Sequence, residues 1–318
     1  MRVVIIGGTG HVGTYLVPFL IEAGHEVICI TRGNSQPYVP HAAWDSVTFV
    51  TIDREKADSE KTFGQQIRDF EADIVIDMIC FTLESCQQLV EALHGTVQHF
   101  LHCGSLWIHG HSAIVPATED LPREPFGEYG IQKSLIERYL MREARLNGFP
   151  ATAIHPGHIT GPGYPTVNPQ GNRDNRVFET IAKGEILILP NIGMETVHHV
   201  HGEDVAQSFM KAINNWSTSV GESFHVVSPT AITLRGFAHA VARWFGHAKA
   251  NIEFLPWEEF RKIVDKEVAE NTWDHIAHSP NANIEKARRL IGYEPRYSSL
   301  QAVKENVDWL ITNKKISV

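Results

Sequence analysis

The sequence predicts an α/β fold: a doubly wound parallel sheet carrying a smaller C-terminal α/β lobe. Three observations predict it. A buried strand, a glycine-rich turn and a helix follow one another at the N-terminus. Strand and helix signals then alternate five times over about 100 residues, the pattern of successive βα units. After residue 154 the alternation breaks into short elements.

The first strand is Val3-Val4-Ile5-Ile6, four apolar and mostly β-branched residues. The turn Gly7-Gly8-Thr9-Gly10-His11-Val12-Gly13 follows, then Tyr15, Leu16, Val17, Phe19, Leu20 and Ile21 at helical spacing, ended by Gly24. Residues 27–30 form strand two, 36–46 a loop, 47–52 strand three, 57–70 one helix and 73–79 strand four. A helix over 84–94 and strand five over 97–103 come next. The helix over 129–147 keeps Ile131, Leu135, Tyr139 and Leu146 along one side, and Gly148 and Pro150 stop it. Strand six covers 151–154. Residues 155–176 are rich in Pro, Gly and Asn and too long for an ordinary connector, so they read as a cover over the substrate. Helices follow over 174–183, 203–214, 233–245 and near 257–266, 283–291 and 300–312. Strands fall at 186–189, 196–200, 222–227 and 251–255. The expected division is a dinucleotide-binding unit over 1–160, with a return segment near 196–228, and a substrate lobe over 161–195 and 229–318.

Composition narrows the function. A net charge of −9 and the absence of any basic run argue against a nucleic-acid footprint. No apolar run approaches the roughly 20 residues of a membrane span. No signal peptide is visible, and Cys29, Cys80, Cys86 and Cys103 show no metal-ligand spacing, so a reduced, cytoplasmic protein is expected.

The glycine turn sits where a dinucleotide site requires it, between strand and helix. Bare backbone N–H groups and the positive end of a helix suit a pyrophosphate, and glycine keeps side chains out of the way. Gly7, Gly10 and Gly13, with Thr9, His11 and Val12 between them, are the candidate contacts. Arg32 follows strand two, at the position that faces the adenosine ribose. A guanidinium there favours NADP over NAD through a charge-assisted pair with the 2′-phosphate, against the alternatives of a solvated loop residue or stacking on adenine with either cofactor. Asp53, closing strand three, accepts from the adenine amino group or caps the next turn.

Strand five ends in Cys103-Gly104-Ser105, and Tyr129-Gly130-Ile131-Gln132-Lys133 opens the long helix. Positions i and i+4 share a helix face, so Lys133 lies near Tyr129. An ammonium and an oxidised nicotinamide both favour the phenolate, making Tyr129 an acid–base. Ser105 donates to a carbonyl or alkoxide oxygen in the same crevice.

With these residues the chain resembles the extended short-chain dehydrogenases/reductases of the NAD(P)-dependent epimerase/dehydratase group. The likeness covers nearly the whole chain. It includes the glycine turn, the segment from Cys103 to Gly110, Tyr129 with Lys133, His155-Pro156 through Gly163, Val200-His201-Gly202-Glu203-Asp204-Val205-Ala206, and Lys286 through Pro295. His109 stands where the family has tyrosine. The resemblance implies that Tyr129 is the acid–base, that Lys133 binds the nicotinamide ribose and that Ser105 orients the substrate oxygen. It also implies a homodimer built on helices 84–94 and 129–147. One departure concerns substrate. Sugar-nucleotide epimerases carry a diphosphate-gripping arginine where this chain has Met194-Glu195-Thr196-Val197-His198-His199. Asn172, Arg173 and Arg176 offer another anion grip or a solvated loop. Segments lining the crevice in the family make Trp107, His109 and His158 candidate substrate contacts, against plain packing, and Phe81, just beyond strand four, either touches nicotinamide or substrate or packs in the core.

The eighteen histidines include a cluster at His198, His199 and His201, but no carboxylate or cysteine completes a metal set, so no metal is expected. The expected activity is hydride transfer at a hydroxyl or keto group of a sugar or sugar derivative. Two alternatives stand beside it. One is NADP-dependent reduction of a non-sugar carbonyl. The other is a non-catalytic cofactor-binding regulator or RNA-associated protein of the same fold.

Overall fold

Strand β1 (Arg2–Ile6) is an interior strand of the central sheet. The computed structural model describes residues 1–318. β1 leads into α1 (Gly13–Glu22), β2 (Glu26–Thr31) and β3 (Thr48–Thr51). Helices α2 (Arg54–Ser59) and α3 (Phe63–Arg68) precede β4 (Ile74–Asp77), α4 (Leu83–Leu93), β5 (His99–Cys103), α5 (Gly127–Leu146) and β6 (Ala151–Pro156). The remainder is β7 (His158–Thr160), α6 (Arg176–Ala182), β8 (Leu187–Pro190), β9 (Thr196–Val197), β10 (His199–His201), α7 (Gly202–Asn214), α8 (Trp216–Ser219) and β11 (Ser223–Val226). The chain ends with β12 (Ile232–Thr233), α9 (Leu234–Trp244), β13 (Ile252–Leu255), α10 (Trp257–Ile263), α11 (Lys266–His278), α12 (Glu285–Ile291) and α13 (Ser299–Thr312).

Seven strands form one sheet in the order β11-β6-β5-β4-β1-β2-β3, and every pairing is parallel. Successive side chains of β1 point to opposite faces. Val3 and Ile5 pack with Leu16, Leu20, Val205 and Phe209 on one face. Val4 and Ile6 pack with Phe63, Leu89, Ile136 and Leu140 on the other. Both faces are covered by helices, which is why the central strands read as continuous apolar runs. A third apolar cluster, containing Phe178, Leu189, Phe237 and Val307, builds the C-terminal lobe. No helix is long and apolar enough to cross a membrane.

Three details differ from the sequence reading. The helix expected over 57–70 is two helices, because Lys61 takes a left-handed conformation with φ of 55° and re-aims Phe63 and Ile67 into the core. The return to the sheet is narrower than 196–228. Only β11 joins it, whereas β9 pairs with β12 and β10 with β7. Helix α11 was not expected at all. Its buried residues are Ala269, Thr272, His275, Ile276 and His278, so the inward face carries little apolar signal.

Candidate active site

Strand order reverses between β1 and β4, and a crevice opens there beyond the strand ends. The turn from Gly7 to Gly13 forms its floor. Gly7 adopts φ of 83°, and a Cβ on Gly13 would sit 1.9 Å from the Gly8 carbonyl oxygen. The backbone N–H groups of His11, Val12 and Gly13 find no acceptor within the chain, and no side chain caps α1. Those free donors at a helix N-terminus fit a diphosphate. The His11 ring is buried and wedged: a Cβ on Gly161 would come within 2.7 Å of its Nε2, and one on Gly202 within 2.8 Å of its Cδ2. It stacks on Tyr164 at 4.6 Å between centroids and meets Tyr38 edge-on at 5.2 Å. Burial lowers His11 to about 4, so the ring is neutral at pH 7.

Two cavities meet at Gly7, Gly10, Ile79 and Phe81. The outer one, about 720 Å³, runs over Thr9, Thr31, Arg32, Asn34 and Ser35 to Arg54. Thr9 and Ser35 hydroxyls lie 2.7 Å apart, tying the glycine turn to the loop after β2. Arg32 is exposed on this wall and forms no ion pair. Asp53 does not line the cavity. It caps α2, accepting from the Lys56 N–H at 3.2 Å, so of its two expected roles the structure displays the cap. The next residue, Arg54, is buried and holds the fully buried Asp77 through two bonds of 2.7 and 2.9 Å.

The inner cavity, about 500 Å³, brings together Ser105, Tyr129 and Lys133 with His11, Val12, Gly13, Phe81, Trp107 and His158. Lys133 is buried, and its Nζ donates to the carbonyls of Cys80 at 2.8 Å and Cys103 at 2.7 Å. It lies 5.0 Å from the Phe81 ring centroid and 5.8 Å from that of Tyr129. Burial lowers the Lys133 pKa. Tyr129 leaves 41 % of its surface exposed, yet desolvation pushes its phenol up to about 12. The Cys103 thiol adds to this, and the Ser105 hydroxyl opposes it. The lowered phenol expected from Lys133 and an oxidised nicotinamide is thus not seen in the chain by itself, where burial dominates.

Ser105 is buried, and its N–H donates to His155 Nδ1 at 3.1 Å. A Cβ on Gly104 would come within 2.2 Å of that same nitrogen, so only glycine admits the ring. His155 Nε2 lies 3.3 Å from Glu137, which Arg123 grips bidentately at 2.8 Å. Burial favours the neutral acid, but His155 and Arg123 hold Glu137 well below the usual carboxylate range.

Trp107 stacks on His278 at 4.2 Å and meets His275 edge-on at 5.7 Å. His158 faces His275 at 4.9 Å. Both histidines come from α11 and were missed. Their spacing with Thr272 was the available signal, a helical face with few apolar members. Tyr38 and Tyr164 were missed too, because they sit in irregular loops. His198, His199 and His201 each make their own contacts: His198 with the Ser228 carbonyl, His199 with the Val167 carbonyl and His201 with the Glu203 N–H.

Sheet order, glycine turn and the Ser105–Tyr129–Lys133 grouping define a chain of the extended short-chain dehydrogenase/reductase class. Residues 3–226 match the model of the NAD dependent epimerase/dehydratase family, and the chain belongs to that family. It is 24% identical over 96% of its length to the chloroplast stem-loop binding protein of 41 kDa b from Arabidopsis thaliana, covering 78% of that protein. The fold is that of an epimerase from Methanothermobacter thermautotrophicus, with a TM-score of 0.75 at 21% identity over 99% of this chain and 93% of the other. It is also that of UDP-glucuronic acid 4-epimerase from Bacillus cereus in complex with UDP-glucuronic acid and NAD. That TM-score is 0.73, at 17% identity over 98% and 100% of the two chains.

Proposed function

We propose that this chain is an oxidoreductase or epimerase that prefers NADP and acts on a hydroxyl or keto group of a sugar derivative, with Tyr129 as acid–base. One observation carries the reading. Tyr129 and Ser105 share a cavity wall that is continuous with the glycine turn, and the Lys133 ammonium lies buried beside them.

A nicotinamide bound in the crevice supplies or accepts the hydride. The free N–H groups of His11, Val12 and Gly13 would hold its diphosphate. Lys133 has a third N–H beyond the two given to Cys80 and Cys103, and that donor is available to a ribose hydroxyl. Ser105 donates to the substrate oxygen and fixes its distance from the phenol. With its phenol at about 12, Tyr129 is protonated at pH 7 and donates directly to an alkoxide forming on a reduced carbonyl. In the opposite direction it must first release that proton, which positive charge in the filled crevice favours.

Arg32 supports NADP, since it is exposed on the ribose side and no acid follows β2 to repel a 2′-phosphate. The four free, buried cysteines fit a reducing, cytoplasmic setting. A homodimer on α4 and α5 completes the reading. The stem-loop binding in the name of the Arabidopsis relative favours a second reading, against which stand the −9 charge and the presence of both Tyr129 and Lys133. The test is cofactor-dependent turnover on sugars and simple carbonyls. Tyr129→Phe is expected to lower it by roughly 10²- to 10⁴-fold with cofactor affinity unchanged. Full activity in that variant would exclude the assignment.

A further inference from the structure

The inner cavity holds two cations, Lys133 and Arg173, and no carboxylate among its lining residues, in a protein of net charge −9. Lys133 is committed to two carbonyls. Arg173 makes no ion pair or hydrogen bond, whereas nearby Arg176 is held by Asp174 at 2.6 Å and Asp265 at 3.8 Å. The loop that presents Arg173 is fixed on both sides. Asn168 Nδ2 donates to Asn172 Oδ1 at 2.6 Å and to the Asp174 carbonyl at 2.9 Å. Asn172 Nδ2 donates to Thr272 of α11 at 3.0 Å. The backbone that carries the guanidinium is thus held in place before anything binds.

The surroundings are neutral. Burial first, and the Arg173 charge with it, hold His158 well below its ordinary value and His275 at about 3. Trp107, on the cavity wall, packs against His275 and His278 of α11. Where sugar-nucleotide epimerases carry a diphosphate-gripping arginine, Val197 is fully buried and Glu195 accepts from Asn191 at 2.6 Å. A nucleotide diphosphate finds no grip there.

We infer that Arg173 recognises an anionic group, a carboxylate or a phosphate, on a small hydroxy or keto substrate, and that the site takes such compounds in preference to nucleotide sugars. This rests on the reading that Tyr129 faces the substrate's reacting carbon. An oxyanion bound by Arg173 then turns one end of the substrate toward the cavity mouth and leaves the other at Ser105 and Tyr129.

The experiment measures thermal shifts and turnover of the NADP-loaded protein with glucuronate, glucose 6-phosphate, glucose and UDP-glucose. Glucuronate or glucose 6-phosphate should bind, and which of them does so separates carboxylate from phosphate. Glucose and UDP-glucose should bind far less. Arg173→Met should weaken the anionic probe by roughly 10- to 100-fold, the worth of one charged hydrogen-bonded contact, with NADP affinity unchanged. Arg173→Lys should recover part of the loss. The inference is overturned if neither anionic probe binds, if UDP-glucose binds more tightly, or if Arg173→Met loosens NADP. Tyr129→Phe separates it from the acid–base reading. That variant should keep anion binding and lose turnover; unchanged turnover sinks the acid–base role while leaving the Arg173 result intact.

Discussion

The Lys133 ammonium donates to the Cys103 carbonyl oxygen over 2.7 Å, and a second bond to Cys80 makes it a tie between the ends of neighbouring strands. Removing it leaves two buried carbonyls without a partner. Lys133→Met should therefore lose roughly 2–5 kcal/mol of stability as well as activity, whereas Tyr129→Phe should lose activity alone. Chemical denaturation of both variants checks the contrast, and equal stability would contradict the tie.

Tyr129 sets a direction for pH dependence. Its phenol stands at about 12 in the chain by itself, so the proton is present across the neutral range. Carbonyl reduction should be nearly flat from about pH 6 to 9, and alcohol oxidation should climb with pH over the same interval. Initial rates in both directions, with cofactor saturating, give the two profiles.

Arg32 stands unpaired on the wall of the outer cavity. Arg32→Ala should raise KM for NADP by roughly 10- to 100-fold, as expected for one charge-assisted contact to phosphate, and leave NAD little changed. Steady-state kinetics with each cofactor decide it. An equal loss with both would mean that Arg32 stacks on adenine instead.

Arg54 and Asp77 form a buried, bidentate pair beneath that cavity. Arg54→Met strands the carboxylate and should cost about 3–5 kcal/mol. Replacing Asp77 as well, by Leu, should return part of that loss. Urea titrations of the two single variants and the double one give the coupling.

Acid should weaken the fold early. Burial lowers His11, His99, His109, His198, His199 and His278 to about 4. The unfolded chain takes up these protons near pH 6.5 while the folded chain refuses them until about 4, so stability falls across that window. Each histidine adds a slope of about 1.4 kcal/mol per pH unit. Glu137, held below its ordinary range, adds a further loss that starts near its unfolded pKa of about 4.3. Tm measured from pH 7.5 to 4.5 at constant ionic strength should drop steeply below 6.5; a level curve would be inconsistent with neutral buried imidazoles.

The first half of the fold was legible because its signals are local. A run of β-branched residues, glycines at fixed spacing and helical periodicity need no tertiary knowledge to read. Tyr129 and Lys133 were legible for the same reason, being one turn apart. Side chains paired by the fold were not. Glu137 reads as another solvated helix charge until Arg123 and His155 arrive from distant segments. Asp77 reads as a turn residue until Arg54 is seen across the strand ends. Helix α11 was invisible because Thr272, His275 and His278 fill positions where periodicity looks for Leu or Val.

His11 belongs to the turn, yet its ring is clamped among Gly161, Gly202 and Tyr164, which lie beyond β6. Any ligand that settles against the turn presses on the same contacts that hold the cover in place.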